Sequence, residues 1–156
     1  MMVMLGLLGC FLVSGLFRKQ NPLVQDMYPH TVKCLLYIFN AVHFGSILSS
    51  KAMFALKQLC ASRSDQKNHV GIHAIPHIIE ALQEDVERPG ECIYQSLLLL
   101  RMLSGLSTNA ELMYKDGLME VLEKLGGHPI AKRSDGFHAR LAELMQSMGE
   151  IAALDK

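Results

Sequence analysis

The chain has 156 residues, half of them hydrophobic and 19% charged, with a formal net charge of 0. That balance excludes a disordered segment, and the length suits one domain with a sizeable core. Neutrality also excludes a global electrostatic pull toward nucleic acid or an anionic membrane.

Residues 1–17, MMVMLGLLGCFLVSGLF, carry no charge and precede Arg18-Lys19. Residues 2–17 fit a signal anchor near the short limit of a bilayer span, with the basic pair facing the cytoplasm. A cleavable signal fits poorly, because no basic residue precedes the apolar stretch. The favoured reading is a buried helix, since Val13-Ser14-Gly15-Leu16 matches Leu103-Ser104-Gly105-Leu106 downstream. A membrane anchor has no reason to keep that phase. This reading implies that the chain begins within a repeating unit and that the natural domain extends upstream. Residues 1–60 hold five Lys/Arg and one Asp, and residues 61–156 hold ten and fourteen. The halves are therefore +4 and −4, and so few charges in the first half predict that something covers it.

Further along, one phrase recurs. Tyr28-Pro29-His30-Thr31-Val32-Lys33-Cys34-Leu35 reads like Ile75-Pro76-His77-Ile78-Ile79-Glu80-Ala81-Leu82, 47 residues on. Leu118-Met119-Glu120-Val121-Leu122-Glu123-Lys124-Leu125 follows after another 43. A second phrase keeps step: Gly9-Cys10-Phe11-Leu12-Val13, Ala55-Leu56-Lys57-Gln58-Leu59 and Leu99-Leu100-Arg101-Met102-Leu103, offset by 46 and 44. Asn21, Asn68 and Asn109 follow the respective phrases. A period of this size marks a helical repeat array, whose units share a continuous core because none buries its apolar face alone.

The middle unit predicts a helix from Ile75, with Ile75, Ile78, Ile79 and Leu82 as one stripe and Pro76 in its first turn. It ends in the acidic loop Glu84 to Glu91. Residues 92–104 are almost wholly apolar, as expected of a layer buried on both sides. Ser107-Thr108-Asn109 offers N-caps for the next helix. Gly126-Gly127 and Pro129 stop the one after it. Residues 132–136 read as a polar linker, with Ser134 or Asp135 capping a last helix whose stripe is Leu141, Leu144, Met145 and Met148. No run of strand alternation occurs, so the class is all-α.

Few residues suggest chemistry. His69, His73 and His77 stand at i, i+4 and i+8. A turn expected near Ala74, with Pro76, separates them, so they read as solvated or capping side chains and no metal site is expected. His30, His43, His128 and His138 lack acidic or cysteine partners at ligand spacing. Cys10, Cys34, Cys60 and Cys92 show no C-x-x-C pair and read as buried, reduced thiols. The acidic run Glu80, Glu84, Asp85, Glu87 and Glu91 reads as a solvated helix end and loop. No phosphate cradle or nucleophile elbow occurs, and no cofactor or catalytic residue is expected. Lys132-Arg133 is too short a basic patch for nucleic acid.

These phrases resemble the armadillo repeat family, over about residues 5–126 and more loosely to 150; the related HEAT class shares much of the spacing. The family's second helix, Gly-Ala-Ile-Pro-x-Leu-Val-x-Leu-Leu, is matched by Ala74 to Leu82, with His73 in the glycine position and Gly117 supplying that glycine in the next unit. Its third helix, Ala-Trp-Ala-Leu-x-Asn-Leu, is matched by Met53 to Leu59 and Leu97 to Leu103. The resemblance implies a right-handed α-solenoid of about three repeats, a single domain over 1–156 with units near 1–17 (truncated), 18–62, 63–106 and 107–153. It implies third helices lining a concave groove that binds a protein partner, as a helix or extended peptide, in the cytoplasm or nucleus. The groove positions are then Lys51, Phe54 and Gln58, and Tyr94, Leu98 and Met102, with Arg101 at the rim. The tryptophan position holds Leu8, Phe54 and Leu98, and the asparagine position Leu12, Gln58 and Met102, which speaks against importin-like peptide reading. Lys51, Lys57 and Arg101 are few for a catenin-like basic groove. An apolar groove points instead to a scaffold or adaptor that takes a partner helix.

Overall fold

The computed structural model describes residues 22–62, 64–84, 91–129 and 135–154. It contains helices α1 (Pro22–Ala41), α2 (Ile47–Ser62), α3 (Lys67–Glu84), α4 (Glu91–Leu103), α5 (Ser107–Lys115), α6 (Leu118–Gly127) and α7 (Asp135–Leu154). A single 3-10 turn, Ser64–Gln66, joins α2 to α3. No strand occurs among the described residues, so the class is all-α. Residues 1–21 lie outside the described set, and with them the alternatives for 2–17 and the positions Leu8, Cys10, Leu12 and Asn21. No described helix is long and apolar enough to cross a membrane.

Two layers form. In one, α4 lies between α2 and α7; in the other, α3 contacts α1, α5 and α6. The sequence offset reappears as the separation of touching groups. The Ser96 hydroxyl donates to the Cys92 carbonyl at 2.8 Å and lies 3.1 Å from Met53 Sδ, 43 residues away. The Ser104 and Ser147 hydroxyls, also 43 apart, meet at 3.2 Å. The Cys92 thiol donates to the Ser46 carbonyl, 46 residues back, at 3.2 Å. The Tyr114 hydroxyl donates to the Met148 carbonyl and ties α5 to α7.

The middle helix explains the layer order. In α4, Ile93, Leu97, Leu99, Leu100 and Leu103 are all buried. With Cys92, Gln95 and Ser96 they fill about half of the helix circumference, the half that packs against α2 and α7, and Tyr94, Leu98, Arg101 and Met102 occupy the other half. Each buried Leu or Ile side chain contributes about 1.5–3 kcal/mol. One connected core runs from Val32 in α1 to Met148 in α7. In α7, Leu141, Leu144 and Met148 are buried and Met145 is half-buried, as their spacing predicts. The α6 helix stops at His128, whose extended backbone (ψ 139°) is what a residue before proline adopts.

Four expectations are corrected. First, α3 is continuous and Pro76 lies inside it, not in a first turn. Gly117 adopts φ 79° and divides α5 from α6, but His73-Ala74 has no residue suited to that conformation. The helix therefore runs on. The hydrogen bond that Pro76 forfeits is to the Ile72 carbonyl, and both residues are exposed, so water can serve that oxygen. Second, His77 is half-buried, with its ring edge-on to Phe39 at 4.9 Å, so it is neither solvated nor a cap. Third, Cys34 is exposed, whereas Cys60 and Cys92 are buried. On α1 the period that buries Val32, Leu35, Leu36 and Phe39 turns Cys34 and Tyr37 outward. Fourth, the α5 N-cap is Leu106, without a side-chain cap.

Asn109 has a different task from capping. It is buried, and its Nδ2 donates to the Lys67 carbonyl at 3.0 Å and the Leu103 carbonyl at 3.2 Å. It thus fastens the start of α3 to the end of α4. Its amide lies against Gly71, where a Cβ would stand 2.1 Å from Oδ1. Asn68 instead is exposed and accepts a bond from the Thr108 hydroxyl at 3.3 Å. A true side-chain cap is found at α2, where the Ser49 amide donates to Ser46 Oγ at 3.1 Å. The turn before it uses Gly45 at φ 93°.

Candidate functional site

The outer face of the α2–α4–α7 layer carries the candidate residues. On α2 the inward positions are Ala52, Met53, Ala55, Leu56, Leu59 and Cys60, all wholly buried. Helical periodicity then turns Lys51, Phe54 and Gln58 outward: Lys51 is exposed and the other two are half-buried. On α4 the same logic leaves Tyr94, Leu98 and Met102 half-buried and Arg101 exposed. Met102 also packs against the core. The two stripes stand on helices that are in direct contact with one another.

Charge surrounds the apolar residues. The Lys57 ammonium stands 5.1 Å from the centre of the Phe54 ring, a cation–π contact at a half-buried site. Arg140 on α7 holds both carboxylate oxygens of Glu143, at 2.8 and 2.9 Å. Its guanidinium is held above its ordinary basicity first by the hydrogen bond to Glu143 and next by one to Tyr94. That last contact joins α7 to the α4 stripe. Lys51, Lys57, Arg101 and Arg140 are thus the cations of this face, and Glu143 is already matched to Arg140.

The expected groove residues omitted Lys57 as an anchor partner and Arg140 altogether. Lys57 was visible in sequence, three residues from Phe54, as an i, i+3 neighbour. Arg140 lies 46 positions from Tyr94, and no local pattern connects them.

A second concavity lies elsewhere. A cleft of about 250 Å³ is lined by Val42, His43 and Phe44 of the α1–α2 turn and by His77, Glu80, Ala81 and Glu84 of α3. It is smaller than the roughly 300–1,000 Å³ usual for small-molecule sites. Among the described residues no three His, Cys, Asp or Glu side chains come together as a metal-ligand set. The buried Cys60 thiol is pushed up to about 12, chiefly by burial and slightly opposed by Lys67, so it is no nucleophile. Comparison with protein-family models, curated proteins and solved structures finds no match to this chain.

Proposed function

We propose that the chain is a non-enzymatic protein-interaction module, an armadillo-like right-handed solenoid of about three repeats acting as a scaffold or adaptor in the cytoplasm or nucleus. The partner, a helix or extended peptide, lies along the outer face of α2, α4 and α7. One observation carries this reading: Phe54, Tyr94, Leu98 and Met102 stay only half-buried on two helices that are in direct contact. Apolar and aromatic anchors of this kind dominate interface energetics. The flanking cations Lys51 and Arg101 set orientation and association rate more than affinity. The separations of 43 and 46 residues between touching groups support the repeat reading.

The test begins with a displayed library of helical and extended peptides selected on the full chain. Lys51→Glu with Tyr94→Ala is expected to weaken the selected peptides at least tenfold while cooperative melting persists. Unchanged binding would move the surface elsewhere, first to the acidic stretch from Glu84 to Glu91.

A further inference from the structure

We propose that His69 and His73 form a two-histidine chelate for a divalent transition-metal ion of the Zn²⁺ or Ni²⁺ class on the outer face of α3. The reason to reject a metal was an expected break in the helix, and α3 is unbroken from Lys67 to Glu84. Residues four apart on one helix share a face, which is how the two histidines of helical zinc motifs meet one ion. Here His73 is exposed and His69 half-buried.

The ring geometry fits a shared ion. An imidazole nitrogen binds Zn²⁺ at about 2.0–2.1 Å, which puts the ring centre about 3.2 Å from the metal. Two rings held at an angle between square and tetrahedral then stand about 4.5–5.2 Å apart, centre to centre. The His69 and His73 centroids are 4.9 Å apart, with the planes crossed at 72°. The separation of the rings matches that of two imidazoles sharing one ion. Lys33 on α1 acts electrostatically on His69 and is the cation that opposes a bound ion.

His77, one turn further on, does not join. Its ring packs edge-on against Phe39, and its Nε2 is buried without a hydrogen-bond partner. No described group of three ligands forms, so the ion keeps positions open to water or exchangeable donors. Imidazole pairs suit Zn²⁺ and Ni²⁺ over Mg²⁺ or Ca²⁺, which take oxygen ligands.

The test uses the full chain carrying Cys34→Ser, so that an exposed thiol does not compete. Zn²⁺ is titrated while calorimetry reads affinity and long-range proton–nitrogen correlation reads each imidazole. The ring nitrogens of His69 and His73 are expected to shift together and saturate at one equivalent. His69→Gln and His73→Gln should each weaken binding at least tenfold, with helical circular dichroism retained, and His77→Gln should leave it unchanged. Affinity unaltered by either of the first two changes, or shifts centred on other histidines, would overturn the chelate.

Discussion

Gly71→Ala in mid-helix α3 ordinarily stabilises a helix by about 1 kcal/mol. At this site the opposite sign is expected. The new Cβ would stand 2.1 Å from Asn109 Oδ1 and 2.5 Å from its Cγ. The amide cannot simply swing away, because its Nδ2 is committed to the Lys67 and Leu103 carbonyls. Overpacking of a buried site costs about 1–3 kcal/mol. Each lost hydrogen bond adds about 1 kcal/mol. After the helix gain, a net loss of about 2 kcal/mol remains, or roughly 4–8 °C in melting temperature for a domain of this size. Asn109→Ala removes the obstacle together with its two bonds, and costs about 2 kcal/mol alone. In that background Gly71→Ala should become neutral or stabilising, by up to about 1 kcal/mol. The assay is a double-mutant cycle from urea melts of four chains, the parent, both single variants and the double. If Gly71→Ala had the same effect in both backgrounds, Asn109 would not be the element that pins α3 to the end of α4.

Two further expectations concern α3 and the thiols. Pro76→Ala should stabilise by about 1–3 kcal/mol, since it restores a donor to the Ile72 carbonyl and relieves an interior proline; a first-turn proline would instead lose about 0.4–1 kcal/mol on the same change, and calorimetric melting separates the two signs. Site-resolved alkylation at pH 8 should modify Cys34 rapidly and spare Cys60 and Cys92, following their exposure. Because the folded Cys60 thiol ionises only near 12 and an ordinary one near 9.0, the contribution from Cys60 is complete below pH 9 and declines as pH rises toward 12. Equal labelling of all three in the native state would contradict the packing of α2.

What the sequence made legible was periodicity, and what it hid was which neighbour meets a given need. The apolar length of α4, the stripe of α7 and the glycine-proline stop of α6 are each decided within one helix, and each agrees with the fold. Pro76 is different. Its missing donor costs nothing at a helix start and is tolerated in a helix interior where the residue four back is exposed, and the exposure of Ile72 fits the second. Cys34 sits beside Lys33 and opposite the stripe Val32, Leu35, Leu36 and Phe39, so helical phase, and not the apolar character of its neighbours, decides its face. Asn109 carries the chemistry of a cap, but carbonyls from Lys67 and Leu103 claim it first. The same logic governs the candidate site. Phe54 and Leu98 are visible as large apolar residues at repeat spacing, yet the cation beside Tyr94 comes from α7, the third helix of that layer, through a contact that only folding creates. A face assembled from three helices in this way is sensitive to any change that shifts α7 relative to α4. The Ser104–Ser147 contact and the approach of Arg140 to Tyr94 lie across the same pair of helices, so a change that breaks the first is expected to loosen the second.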